Sequence, residues 1–365
     1  MAYPPTRVVI CGAGVIGAAV AYYLSLRGVC ATVIERSGVA CAASGKSGGF
    51  LALDWCDNSP LAALARTSFQ LHAELSHTLG TDYGYRRLTT LGVTASADRR
   101  PSARPLADEF AWLDGSGVPY AVLGSPLTTA QVHPAQFTQT LMQAALARGA
   151  QLRLGCVDGV ELSDTAVRGV RVDGHILPAD AVVIAMGPWS GVAARWLPLP
   201  AVEGLKGHSI TLRPRTPVPA QALFVDYVTS LGERLAPEVY PRPDGEVYLC
   251  GLSEAGPLPE RPDLVQPRPD AGPLLQRIAG TLSSSLADVP LQRVQACYRP
   301  VYADGLPLLG TVPGVSGAYI ATGHSCWGIL NAPASALAMA ELLIDGQAHS
   351  VDLRPFDPRR AWVAG

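Results

Sequence analysis

Val8-Val9-Ile10-Cys11-Gly12-Ala13-Gly14-Val15-Ile16-Gly17, running on through Ala18–Leu26 to Ala31-Thr32-Val33-Ile34-Glu35-Arg36, is the stretch that decides the fold. Val8-Val9-Ile10 is a short apolar run of strand character, and Ala18–Leu26 reads as helix closed by Arg27-Gly28. A second apolar run, Ala31–Ile34, ends in an acid. Strand, glycine turn, helix, strand, acid is the order of a dinucleotide-binding βαβ unit. Gly12 permits the tight turn, Gly14 lets the backbone approach a pyrophosphate, and Gly17 lets the helix pack on the strand. The helix start, with Val15 and Ile16, offers free N–H groups and partial positive charge to phosphates. Glu35, about 20 residues on, stands beside Arg36 where an acid accepts ribose hydroxyls. A 2′-phosphate would be repelled there, which argues against NADP.

Outward from this unit, the chain has 365 residues, room for two domains or one large one. Hydrophobic residues make up 48% and charged residues 16%, enough to bury a sizeable core. The apolar stretches look short and interrupted, so no membrane span is expected. Met1–Thr6 carries no basic segment leading into an apolar one, and Ala361-Trp362-Val363-Ala364-Gly365 matches no retrieval or peroxisomal signal. With a formal net charge of −2 and no basic stripe, nucleic acid is not an expected partner. The 8 cysteines form no CxxC pair, which points to reduced thiols and an intracellular, cytoplasmic location. The 7 histidines lack metal spacing, so no metal is expected, and His72 and His77 read as surface residues. Lys46 and Lys206 are the chain's only lysines.

Residues 61–79 show a leucine stripe of helical period, with Pro60 before it and Gly80 after it. Residues 85–128 read as strands and turns, with a short helix around Leu106–Leu113. A helix is expected from Ala135 to Arg148, then alternating strands over 151–162 and 167–172, with Asp173-Gly174 as a hairpin turn. Ala181–Ala185 is a buried strand, and the proline-rich 200–293 reads as mixed strands and loops. Tyr240–Gly251 is a hairpin around Asp244-Gly245, Gly317–Thr322 another strand, and Ile329–Ile344 a final helix.

Near the other end stand Arg299-Pro300, Asp304-Gly305-Leu306-Pro307-Leu308-Leu309-Gly310, and the Gly323-His324 turn into that last helix. Here the chain resembles the D-amino-acid oxidase, glycine oxidase and sarcosine oxidase family of flavoenzymes. That family carries Arg-Pro, Asp-Gly-x-Pro, Gly, and then a Gly-His turn. Ser44-Gly45-Lys46-Ser47-Gly48-Gly49 looks like its flavin-contacting loop, and Val132-His133-Pro134 like its helix entry. Ala185-Met186-Gly187-Pro188-Trp189-Ser190 is similar to its small-Gly-x-Trp-Ser turn, and Gly204-Leu205-Lys206-Gly207 to its basic-Gly strand. The Gly323–Asn331 run is most similar to a eukaryotic branch of the family with no assigned substrate.

The resemblance implies an α/β chain: a Rossmann-like FAD-binding domain from 1–84, 131–199 and 294–365, with a second mixed α+β substrate domain from 85–130 and 200–293. It implies FAD held by Gly12, Gly14, Val15, Ile16, Gly17, Glu35 and Arg36, by Ser44, Lys46 and Ser47, and by Gly187 and Trp189. At the last helix it adds Gly323, His324, Ser325, Cys326, Trp327, Gly328 and Ile329. Arg299 matches the arginine that grips the substrate carboxylate, for which a planar cationic fork is well shaped. Cys297 stands at the offset of the cysteine that carries covalent flavin in the sarcosine branch, and is expected to be structural instead. Cys326 is a weaker candidate for that link. Tyr227, Tyr240, Tyr248 and Tyr298 are candidate pocket tyrosines. The lysine that supports oxygen reaction in the sarcosine branch has no counterpart, since the hairpin position holds Leu249 or Cys250.

The expected reaction is oxidation of a C–N bond in a small amine or amino acid by hydride transfer, with oxygen or another electron acceptor. An NAD-dependent dehydrogenase and a flavin-binding protein of regulatory or trafficking role stay open as alternatives. Oligomeric state is left open.

Overall fold

The structure, a computed structural model, describes residues 5–98 and 106–362. Met1–Pro4 and Val363–Gly365, part of the ends read for targeting signals, lie outside them.

The first layer is a six-stranded sheet. Its order is Leu308–Thr311, Ala318–Thr322, Ala181–Ile184, Val8–Cys11, Thr32–Glu35, Gln151–Leu154. Neighbours run parallel except the first pair, which is antiparallel. A sheet covered on both faces needs apolar residues without interruption, and Val8–Cys11 and Ala181–Ile184 are buried at every position. Val8 and Ile10 turn toward the helices Val15–Leu26, Pro134–Ala147 and Gly328–Asp345. Val9 and Cys11 turn the other way, under the antiparallel strands Val157–Ser163 and Ala166–Val172. This is the Rossmann-like α/β arrangement expected from the opening motif.

The second layer is an eight-stranded sheet. Leu291–Val301, Glu203–Leu212, Val247–Ala255, Glu238–Pro241, Gln221–Val228, Thr89–Ser96 and Val118–Gly124 follow one another across it, with Arg234–Leu235 beside Gln221–Val228. One face carries Ile210, Val239, Leu249 and Leu252 onto the helix Ala271–Leu282. The other face, with Tyr240, Tyr248, Cys250 and Arg299, turns toward the first sheet. Gly251 lies at φ 153°, where the register against Glu203–Leu212 shifts between His208 and Ser209. Such a bulge moves the alternation by one place. Leu252 therefore stays in the core while Ser253 points into the cavity between the sheets.

Several expectations need correction. The segment 200–293 holds a helix, Ala271–Leu282, read there as strand and loop. Leu275, Ile278 and Leu282 recur on one face of it and are fully buried, each contributing about 1.5–3 kcal/mol. Proline density around that segment masked the helical period. The domain boundary at 294 falls inside the strand Leu291–Val301, which pairs along its length with Glu203–Leu212. The boundary at 131 falls inside Thr129–Gln131, which joins Phe50–Ala52 and Arg86–Arg87 in a small sheet.

The stretch Ser325–Asp345 is long and apolar enough to cross a bilayer by length and composition, which the reading of short interrupted runs passed over. Most of it is buried here, packed on Val15–Leu26 and on the helix Ala62–Thr78. His72 is not a surface residue: it is 0% exposed in that contact. Pro333 stands inside the last helix and cannot donate to the Ile329 carbonyl. His72 Nε2 stands 2.9 Å from that carbonyl and 3.2 Å from the Leu330 carbonyl, while Ala334 N–H donates to Ser68 Oγ. Two carbonyl acceptors call for the N–H on Nε2, so the histidine repairs the proline defect.

Candidate active site

The glycine turn is built around a carbonyl. Gly12 has φ 107°, and a Cβ there would stand 2.5 Å from the Ala185 carbonyl oxygen. Its N–H donates to the Ile34 carbonyl at 2.8 Å, locking the turn to the neighbouring strand. A Cβ on Gly17 would stand 1.9 Å from the Gly12 carbonyl oxygen, so Gly17 serves helix–strand packing. Gly14 faces open space except for Ser44 Oγ, 3.1 Å from where its Cβ would be. Ser44 Oγ accepts the Val15 N–H at 2.9 Å at the start of the helix. Glu35 accepts the Ala13 N–H at 2.8 Å through Oε2 and the Ser37 N–H at 2.9 Å through Oε1. The acid thus braces the turn, and a carboxylate with roughly four lone-pair sites still has room for hydroxyls.

From this cradle a cavity of about 400 Å³ runs between the two sheets. Of the residues named from sequence, Gly12, Gly14, Val15, Ile16, Glu35, Arg36, Ser44, Ser47, Gly187, Trp189, His324, Ser325, Cys326, Gly328, Ile329 and Arg299 line it. Gly17, Lys46, Gly323 and Trp327 do not. Lys46 was expected on the cofactor, but its ammonium donates to the Ala296 carbonyl at 3.2 Å, tying its loop to the second sheet. Gly323, at φ 81°, shapes the turn ahead of the last helix. Trp327 packs instead against Trp55, ring centroids 6.5 Å apart.

Arg36 and Trp189 close one end. Arg36 donates to the Glu260 carbonyl and, through Nη2, to Cys156 Sγ at 3.0 Å. Trp189 Nε1 donates to the Pro259 carbonyl at 2.8 Å. At the other end the turn into Gly328–Asp345 opens on the cavity. His324 is buried there beside Ser335 Oγ at 3.0 Å, and burial pushes its imidazole down to about 3, so it is neutral.

The second sheet supplies the opposite wall with Tyr248, Cys250, Glu238, Ser253, Cys297, Arg299 and His208. Tyr248 is the candidate tyrosine that lines the cavity. Tyr240 stands behind it and donates to Glu238 Oε2 at 2.6 Å, Tyr298 donates to the Pro257 carbonyl at 2.7 Å, and Tyr227 lies in the core. Arg299 donates through Nη2 to Ser253 Oγ at 2.7 Å, and its Nε has no protein partner. Burial pushes the Cys297 thiol up to about 11 and raises those of Cys250 and Cys326, so the sulfurs stay protonated near neutral pH. Glu238, Ser253 and His208 were missed from sequence. A pairwise alternation back from Tyr240 marks Glu238, whereas Ser253 is out of phase because of the Gly251 bulge.

His133, Asp244 and Glu246 converge as a metal site would. The Arg242 guanidinium takes the cation's place, bonding both His133 Nε2 at 3.2 Å and the Glu246 carboxylate.

The residues fit a flavin dinucleotide. Gly14 leaves a bare backbone at a helix start, Ser47 Oγ is buried without a protein partner, and the cavity continues from cradle to second sheet. Residues 7–342 match the family described as FAD dependent oxidoreductase. A Schizosaccharomyces pombe protein described as an oxidoreductase, with no substrate in its name, is 30% identical over 96% of this chain and 97% of its own. A glycine oxidase from Pseudomonas aeruginosa is 28% identical over 96% of this chain and 98% of its own. The crystal structure of glycine oxidase from Geobacillus kaustophilus superposes with TM-score 0.80 at 23% identity, over 97% of this chain and 99% of that one, and shares its fold. The chain belongs to the family of FAD-dependent oxidoreductases.

Proposed function

We propose that this enzyme oxidises the C–N bond of a small amino acid or N-alkyl amino acid, held by its carboxylate on Arg299. One observation carries the reading: Arg299 opens into the same cavity as the Gly14 cradle and the start of the last helix. FAD, when bound, supplies the acceptor for the hydride that leaves the substrate carbon. The chain's own groups position and shield. Gly12–Gly17, Glu35 and Ser44 hold the dinucleotide end, and the N-terminus of Gly328–Asp345 places partial positive charge where negative charge develops. Arg299, steadied by Ser253, orients the substrate so that its α-carbon is presented. An ammonium first gives a proton to water, because only the neutral amine has the lone pair that closes the C=N bond as hydride leaves, and the iminium so formed hydrolyses in water. The glycine oxidase name of the Pseudomonas aeruginosa relative supports this class of substrate. The free thiols support an intracellular, cytoplasmic setting.

The test is anaerobic mixing of the purified yellow protein with a panel of amines and amino acids. Bleaching of the flavin bands by amino acids, and not by the corresponding amines, is the expected result. A panel that leaves the bands unchanged throughout favours the flavin-binding reading with little turnover.

A further inference from the structure

Arg299 is not the only charge that faces the substrate end of the cavity. Glu238 lines it from the strand Glu238–Pro241, in the same sheet as Arg299 with two strands between them. Its Oε2 accepts from Tyr240 Oη at 2.6 Å and faces Cys250 Sγ at 3.6 Å. Its Oε1 has no hydrogen-bond donor among the described residues, and the register sets Glu238 directly opposite Cys250. The carboxylate is therefore fixed on one oxygen and open on the other.

Opposite charges in one cavity usually neutralise each other. Here they do not: among the described residues no ion pair joins Arg299 to Glu238, and Arg299 spends one donor on Ser253. Yet both reach the same thiols. Beyond burial, which raises them, Cys250 and Cys326 are pushed up further by Glu238 and down by Arg299. Cys326 belongs to the turn at the start of the last helix. Guanidinium and carboxylate line the same cavity as Cys326, at the end where the substrate reading puts the reacting carbon.

We infer that Glu238 receives the cationic nitrogen of the substrate while Arg299 receives its carboxylate, so that the cavity selects an α-amino acid zwitterion over a plain carboxylate. This rests on the substrate reading above and adds the residue that recognises the nitrogen. Each charge on the protein then meets its counterpart on the ligand, and neither is buried alone.

The test uses two probes that cannot be oxidised and differ in one atom. Glycine betaine carries a quaternary nitrogen and a carboxylate. In 3,3-dimethylbutanoate a carbon replaces that nitrogen. Each is titrated into the FAD-loaded wild type, Glu238→Gln and Arg299→Leu, and binding is read from the perturbed flavin absorption and by calorimetry. The wild type should prefer betaine by about tenfold or more, the ratio that one ion pair between the quaternary nitrogen and the carboxylate supplies at the dielectric of a protein cavity. Glu238→Gln should bind both probes alike, with dimethylbutanoate no weaker than in the wild type. Equal binding of the two probes by the wild type, binding of neither, or a preference kept in Glu238→Gln would overturn the inference. Loss of the preference in Glu238→Gln with no weakening of either probe in Arg299→Leu would leave Glu238 in place and overturn the carboxylate reading alone.

Discussion

Ser253 holds the Arg299 guanidinium at 2.7 Å, and it can do so because Gly251 bulges the strand between Cys250 and Leu252. Ser253→Ala should free the fork without removing its charge. The contact is exposed to water, so no more than about 1 kcal/mol is at stake, up to roughly fivefold in KM, with kcat little changed. Gly251→Val should do more, because a Cβ there would stand 2.6 Å from Pro237 Cα and the strand would have to give up the bulge. Its unfolding temperature should drop as well. A Ser253→Ala enzyme with unaltered KM would show that the serine does not steady the fork.

Gly12 and Gly14 should fail in different ways. Gly12→Ala meets the Ala185 carbonyl and a positive φ, so the apoprotein itself loses stability. Gly14→Leu points into the cavity and should keep the fold while losing most of its FAD. Circular dichroism and acid-extracted flavin, measured on the same samples, separate the two. Full flavin content in Gly14→Leu would show that the phosphates lie elsewhere.

The flavin should leave the protein on acid precipitation. Cys297 lines the cavity, but burial keeps its thiol protonated, which makes it a poor nucleophile. Yellow colour retained in the precipitate, and lost in Cys297→Ser, would establish a covalent link.

Much of this was legible because some signals are local. A glycine spacing followed by a helix and an acid needs only 30 or so contiguous residues to specify itself, and Val8–Arg36 folds as read. Arg299 was legible through its Arg-Pro context. For Glu238 the alternation with Tyr240 gives the face of the strand alone, because its place on the cavity wall arises from strand pairing with Cys250 and from packing against the distant turn that holds Cys326. Lys46 is one of only two lysines, yet a basic side chain in a loop goes to whichever acceptor the tertiary fold offers, here the Ala296 carbonyl. His72 lay on a helix that reads as amphipathic. Its burial follows from Pro333, far along the chain, which leaves a carbonyl in need of a donor.

Stability should fall in mild acid. Burial pushes the His72 imidazole down to about 4 and that of His324 down to about 3, whereas an unfolded histidine titrates near about 6.5. Between those values the unfolded chain binds more protons than the folded one. The stability is therefore complete above about 6.5 and is lost as pH falls toward 4, by up to roughly 1.4 kcal/mol per pH unit for each group. Urea midpoints measured between about pH 7 and 5 isolate the histidines, since carboxylates bonded in the folded state act at lower pH. His72→Gln, which can still donate to the Ile329 carbonyl, should flatten the slope. A wild-type midpoint that does not move over that range would contradict the assignment.

Arg299→Leu should remove the carboxylate anchor and leave the flavin in place. A bidentate contact between guanidinium and carboxylate is worth about 1.5–3 kcal/mol, or roughly one to two orders of magnitude in the efficiency of flavin reduction. Arg299→Lys should restore only part, because an ammonium supplies charge without the planar fork, and Ser253 would then have a different donor to hold. Rapid-mixing reduction is followed for an amino acid and for the same amine without its carboxylate. The loss should fall on the amino acid, while the amine, already poor in the wild type, should change little. Since Arg299 sits on the second sheet and the pyrophosphate cradle on the first, FAD content should stay near that of the wild type. Equal losses for both compounds, or none for either, would mean that the carboxylate is bound elsewhere.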